Sequence, residues 1–134
     1  MVKLVVGLAG SGKTKAMIEM VNRTEDKGQV VCIERGSKLR YDVKHAVRLI
    51  DSSEYEIKGF QVMRGFLSGL YAGNFDISHI FVDSLHKVAN MDDIGELEKF
   101  AKWLEEFDKT HGVSFTISVG LTEDKLTEYL MGLL

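Results

Sequence analysis

The 134-residue sequence predicts an α/β fold: a three-layer sandwich with a mainly parallel sheet of four to five strands and helices on both faces. Three observations carry this. Short, almost wholly apolar runs at Val2–Val6, Gln29–Glu34 and 77–83 read as strands buried on both faces. Segments with apolar residues at helical spacing separate them. The first strand, first helix and second strand together span about 30 residues, the length of a right-handed crossover unit with parallel strands.

Taken in order, Val2–Val6 is closed by Gly7 and is the expected first strand. From Lys13 to about Arg23 the residues are good helix formers, with Met17, Met20 and Val21 on one side and Lys15, Glu19 and Asn22 mostly on the other. Gly28 separates that helix from Gln29–Glu34. Residues 36–55 mix charge with one apolar piece, so a short strand near 47–50 is expected before the turn-like Asp51, Ser52 and Ser53. Phe60, Met63, Phe66, Leu67, Leu70 and Tyr71 then recur at helical spacing, up to a natural stop at Gly73 and Asn74. On that helix Gly65 and Gly69 lie one turn apart, where missing side chains either admit a second backbone or simply cost helix stability.

The apolar run 77–83 ends on a carboxylate, Asp83. Asp93 and Glu96 have the spacing of a capping box, opening a helix whose stripe is Ile94, Leu97, Ala101 and Leu104 and whose end is marked by Lys109, His111 and Gly112. In 113–119, Val113, Phe115, Ile117 and Val119 alternate with Ser114, Thr116 and Ser118, which predicts one apolar and one small polar face at a partly exposed position. A last helix is expected from about Thr122, with Leu126, Tyr129, Leu130 and Leu133 covering either this sheet or a partner's surface.

Composition narrows the function classes. Residues 1–134 are expected to form one domain, and 45% hydrophobic with 28% charged residues is the balance of an ordered chain. A net charge of −3 and a pI near 5.8 argue against nucleic acid as the main partner. The most basic stretch, with Arg35, Lys38, Arg40 and Lys44, reads as a solvated loop. Cys32, the single cysteine, sits in an apolar run and reads as a buried, inert thiol. His45, His79, His86 and His111 lack zinc-ligand spacing and read as surface or strand-end residues. No apolar run approaches the roughly 20 residues that span a bilayer, and no signal segment is recognisable, so the cytoplasm is the expected compartment.

The chemistry is concentrated in Gly7-Leu8-Ala9-Gly10-Ser11-Gly12-Lys13-Thr14, which fits Gly-x-x-x-x-Gly-Lys-Ser/Thr at every defined position. Gly7, Gly10 and Gly12 leave bare backbone whose N–H groups, with that of Ser11, curl around phosphate oxygens. Lys13 reaches the β and γ phosphates, the Thr14 hydroxyl coordinates Mg²⁺, and the helix N-terminus adds partial positive charge. A chance match in a chain of this length is on the order of half a per cent, so a nucleotide ligand, ATP with Mg²⁺, is the expected cofactor. Asp83, ending a separate apolar strand, is the one residue placed to join Thr14 in the metal shell, through a bound water.

With Ser84 directly after Asp83, no glutamate follows the metal-site aspartate, and a catalytic base must come from elsewhere. Here the chain resembles the RecA-like P-loop NTPases, including the KaiC type, in which the aspartate is followed by a small and then an apolar residue, as in Asp83-Ser84-Leu85. The resemblance implies a P-loop NTPase sandwich with the base at the end of the second strand, which here is Glu34, and a polar sensor after the fourth strand, for which Ser118 is the nearest match. It also implies that the strand 113–119 lies between the P-loop strand and the Asp83 strand.

The expected activity is therefore Mg-dependent ATP hydrolysis, with Lys13 and Glu34 catalytic. Slow turnover by the isolated chain is expected, since an arginine from a neighbouring copy in a homo-oligomer often supplies the missing charge; Arg35, Arg40 and Arg64 are unranked candidates. Two alternatives stand beside it. One is a nucleotide-dependent switch read by a protein partner through 35–53 or the last helix; the other is a small-molecule phosphotransferase, against which the lack of an arginine-rich lid counts.

Overall fold

The computed structural model describes residues 1–25 and 28–134. Its strands are β1 (Val2–Val6), β2 (Gln29–Glu34), β3 (Arg48–Asp51), β4 (Ile77–Val82) and β5 (Ser114–Val119). All are parallel and form one sheet in the order β1-β5-β4-β2-β3. Between them run α1 (Lys13–Arg23), α2 (Gly59–Gly73), a single-turn α3 (Leu85–Val88) and α4 (Ile94–His111), and α5 (Glu128–Met131) follows β5. Two 3₁₀ turns complete the list, Ser52–Glu54 and Glu123–Lys125.

The strand order explains the layering. The chain moves outward from β1 to β2 and on to β3, then returns through β4 to β5. Crossovers of one hand must lie on opposite faces of the sheet when the direction of travel reverses. Met17 and Val21 of α1 accordingly pack with Leu39 and Val47 over Val30, Cys32 and Phe81. Met63 and Leu67 of α2 and Phe100 and Leu104 of α4 cover Val31, Ile33, Val82 and Ile117 on the other face. The result is a three-layer α/β arrangement with a separate apolar core on each side of the sheet.

Several expectations hold closely. The ranges of β1, α1 and β2 are those read from the sequence, and the short strand expected near 47–50 is β3. At the start of α4, Asp93 Oδ1 accepts the Glu96 N–H at 2.9 Å, while the Glu96 carboxylate turns to Lys99 Nζ at 3.5 Å. Gly112, left-handed at φ 71°, closes that helix. Cys32 is fully buried, and desolvation, reinforced by the charges of Asp83 and Glu34, pushes its thiol up to about 12.

Three expectations are corrected. The strand at 113–119 is not partly exposed: β5 lies inside the sheet between β1 and β4, and its small polar side chains are sealed, Thr116 at 2% and Ser118 at 0% exposure. Alternation misleads there because both hydroxyls have buried polar partners, His79 Nε2 at 2.9 Å from Thr116 Oγ1 and Asp83 for Ser118. His79 is therefore no surface residue; it is buried in β4 and its ring stacks on Phe81 at 4.1 Å.

Nor does a continuous helix run from Thr122. The 3₁₀ turn Glu123–Lys125 comes first, and α5 begins only after Thr127, whose hydroxyl accepts the Leu130 N–H at 3.2 Å. This segment covers the chain's own sheet. Leu130 is fully buried in the α2/α4-side core, and Leu133 O accepts the Leu4 N–H at 2.8 Å, occupying an amide on the outer edge of β1. Among the described residues, no helix is long and apolar enough to cross a membrane.

Candidate functional site

Because all five strands run in one direction, their carboxyl ends share one edge of the sheet: Val6 is level with Val119, Ile33 with Val82, and Glu34 with Asp51. In open α/β sheets, ligand sites form in the crevice outside these ends. The 7–14 loop, Glu34 and Asp83 all lie along this edge.

Residues 7–12 connect the end of β1 to the first turn of α1. Gly7 N donates to Val119 O at 3.3 Å, and a Cβ at Gly7 would stand 2.2 Å from Ser11 Oγ and 3.1 Å from Ser11 Cβ, so a larger residue would have to displace the Ser11 side chain. Gly10 and Gly12 are left-handed, with φ of 81° and 90°, which lets the loop curl back between them. Residues 8–12 are exposed, and α1 opens on Gly12 with no side-chain cap and no acidic residue in its first turn. The uncapped N–H groups and the helix dipole therefore leave positive partial charge facing solvent beside Lys13.

From the first turn of α1, the Thr14 hydroxyl donates to Asp83 Oδ2 at 3.4 Å. Asp83 is 8% exposed just past the end of β4, where its own N–H is held by Ile33 O at 2.9 Å. Its other oxygen, Oδ1, accepts the Ser118 hydroxyl at 3.0 Å, and that same hydroxyl accepts the Ser84 N–H at 2.7 Å. Ser84 sits at φ 56°, so the chain turns sharply into α3 directly after Asp83. Position 118, matched by resemblance to a sensor, is thus a support for the carboxylate.

Glu34 shares a cleft of about 60 Å³ with Thr14, Asp83, Ser84, Arg35, Lys38 and Lys87. It is only 4% exposed, and both its oxygens are engaged: Oε1 by the Lys38 N–H at 3.1 Å and Oε2 by the Leu39 N–H at 3.0 Å. Burial raises its pKa, outweighing the two amide bonds that lower it, and the nearby Asp83 and Asp51 charges raise it further. Of the three arginines considered, Arg35 lines this cleft and reaches Lys87 O at 3.5 Å. Arg40 lies over the Tyr41 ring at 4.7 Å and Arg64 over Trp103 at 5.9 Å.

One contributor went unread in the sequence: Lys87 brings a cation to the cleft from α3. His86 beside it, read from the sequence as a surface or strand-end residue, is half-buried and accepts the Gly120 N–H on Nδ1 at 3.0 Å. Burial, then the charges of Lys13 and Lys87, lowers the His86 pKa and favours the neutral ring. The signal for α3 was slight: Leu85 and Val88, three apart and both buried, are its whole apolar face.

Among the described residues, no group of three or more His, Cys, Asp or Glu side chains is placed to hold a metal alone. Thr14 and Asp83 offer one hydroxyl and one carboxylate. That sparse oxygen set suits Mg²⁺, which keeps most of its shell as water and phosphate oxygens, and does not suit an all-protein cage. Comparison with protein-family models finds no match for this chain, and comparison with curated proteins finds none either.

Proposed function

We propose that the protein binds Mg·ATP on the 7–14 loop and hydrolyses it slowly, with a division of labour like that of RecA-like NTPases. The observation that carries the reading is the pairing of Thr14 with Asp83 at 3.4 Å, because it joins a phosphate-type loop to the carboxylate at the end of β4, the strand on the far side of β5 from β1. Mg²⁺ bound there, to the Thr14 hydroxyl and through water to Asp83, would neutralise charge on the β and γ phosphates.

The protein's own groups then divide the work. Loop N–H groups between Gly7 and Thr14, other than those of Gly7 and Ser11, which donate to Val119 O and Leu8 O, and the Lys13 ammonium hold the polyphosphate in place. Water attacks the γ-phosphorus, the bond to the bridging oxygen breaks, ADP leaves with that electron pair, and Glu34 receives the proton of the attacking water. A raised pKa suits Glu34 to this role. Its oxygens must first loosen from the Lys38 and Leu39 amides, which is a reason for slow turnover.

Those same two bonds favour a second reading. A carboxylate that spends both oxygens holding 38–39 is also a latch on the 35–47 segment, so nucleotide entering the cleft would alter that surface for a partner with little hydrolysis. Steady-state ATP hydrolysis with Mg²⁺, scanned over protein concentration for wild type and Lys13→Ala, separates the two. Turnover that depends on Lys13 supports the hydrolase, and a more than linear rise with concentration identifies a site shared between copies. ATP binding without turnover at any concentration favours the switch, and no binding by wild type refutes both.

A further inference from the structure

We propose that the cavity enclosed by the start of α2, α3, the start of α4 and the end of β5 is a second ligand site. Its ligand class is a small neutral ring compound bearing one hydrogen-bonding group, and its occupancy is felt at the Thr14–Asp83 cleft through α3. The cavity measures about 160 Å³ and is walled mainly by Phe60, Leu85, Met91, Leu97 and Leu121. An apolar cavity of about 150 Å³ suffices to bind benzene, so a single aromatic ring is the right size. Two polar residues complete the wall, His86 and Asp92. With Nδ1 accepting from Gly120, the neutral His86 ring carries its proton on Nε2 and is a fixed donor. Apolar walls with a few placed polar groups are the composition of ligand pockets.

Backbone conformation singles out the same region. Among the described residues, three non-glycines have positive φ: Glu56 at 52°, Ser84 at 56° and Asn90 at 51°. Ser84 and Asn90 bracket α3, and Glu56 precedes the turn that leads to Phe60. The two walls are tied where Gly59 N donates to Ala89 O at 2.6 Å. Strained residues persist where surrounding structure enforces them, and they gather at ligand clamps. Gly120 adds a tight approach: a Cβ there would lie 2.7 Å from His86 Cε1, so glycine is what admits the ring.

The single turn of α3 separates the two sites. Ser84 and Lys87 line the nucleotide cleft, while Leu85 and His86 line the cavity. A ring that shifts α3 must therefore act on Ser84, whose N–H shares the Ser118 hydroxyl with Asp83. The cavity site stands without the nucleotide reading; the coupling rests on it.

The probe is 4-fluorophenol, followed by ¹⁹F NMR against the nucleotide-free protein. Saturable millimolar binding is expected, weakened by about tenfold or more in Leu121→Trp and in Met91→Trp, whose rings take the space the probe needs. No saturable shift, or equal affinity in whichever tryptophan variants remain folded, overturns the site; should neither fold, failure of benzene to compete with the probe overturns it. For coupling, saturating Mg·ADP is expected to change the probe affinity by about threefold or more in wild type and not in Lys13→Ala. An unchanged affinity while calorimetry records Mg·ADP binding overturns the coupling. Absence of Mg·ADP binding by calorimetry overturns the nucleotide reading and the coupling with it, leaving the cavity result to stand by itself.

Discussion

The Ser118 hydroxyl donates to Asp83 Oδ1 at 3.0 Å and accepts the Ser84 N–H at 2.7 Å, so one buried side chain holds both the candidate metal-site carboxylate and the turn that follows it. Asp83 and Ser118 are 35 residues apart in the chain and meet because β4 and β5 are neighbours, with Val82 level with Ile117. The remaining Asp83 oxygen is thereby left for Thr14.

Ser118→Ala removes that hydroxyl from a fully buried position and leaves a carboxylate oxygen and a backbone N–H without their partner. Such a loss costs about 1–3 kcal/mol, more than an exposed hydroxyl would. Urea unfolding is expected to show a lower midpoint with an unchanged slope. A midpoint equal to that of wild type would mean that water replaces the hydroxyl.

Asp83→Asn keeps the shape and, with Oδ1 still accepting from Ser118, presents an uncharged amide N–H₂ donor to Thr14 in place of a carboxylate oxygen. A carboxylate acting on a metal through water typically controls affinity by about 10–100-fold, so the Mg²⁺ dependence of nucleotide binding is expected to move by that factor. Magnesium titration of a fluorescent ATP analogue reads it directly. An unmoved magnesium midpoint removes Asp83 from the metal site and leaves it a structural partner of the Ser118 hydroxyl.

Leu130 tests whether the last segment belongs to this chain's core. It is fully buried, and Leu130→Ala is expected to cost about 2–5 kcal/mol in urea unfolding, with nucleotide affinity unchanged because Leu130 belongs to the α2/α4-side core and does not line the Thr14–Asp83 cleft. A cost under about 1 kcal/mol would show that α5 leaves the sheet readily.

What was legible in the chain follows from the range of the interactions involved. Val2–Val6, Lys13–Arg23 and Gln29–Glu34 are specified by local pattern and by glycine punctuation, which also places a connection at 7–12 between β1 and α1, so all were readable. Ser118 and Thr116 were misplaced because their partners, Asp83 and His79, lie in another strand, and a window along β5 sees only hydroxyls of the kind that also face water. Lys87 stayed hidden because a one-turn helix has too few residues to show a period. The strand-end position of Glu34 was visible, whereas its grip on the Lys38 and Leu39 amides was not, since that depends on how the 35–39 backbone folds over it.

Glu34→Gln tests that grip and the sign of its charge. Burial raises the folded-state pKa of Glu34 above its ordinary value of 4.5, so between those two values the native protein holds a proton that the unfolded chain has lost. Stability from this group is then fully present below the unfolded value and declines as pH rises through the folded one. Glutamine does not titrate. Wild type is therefore expected to lose ground to Glu34→Gln in urea midpoint as pH rises from about 4 to about 7. The opposite slope would mean that the bonds from Lys38 and Leu39 outweigh desolvation. The same pair of proteins also divides the two functional readings. If Glu34 activates water, the variant binds Mg·ATP and does not hydrolyse it. If Glu34 is mainly a latch, a glutamine, able to accept from only one of the two amides while offering N–H to the other, speeds hydrogen exchange at Lys38 and Leu39 in the free protein and reduces any further increase on adding nucleotide.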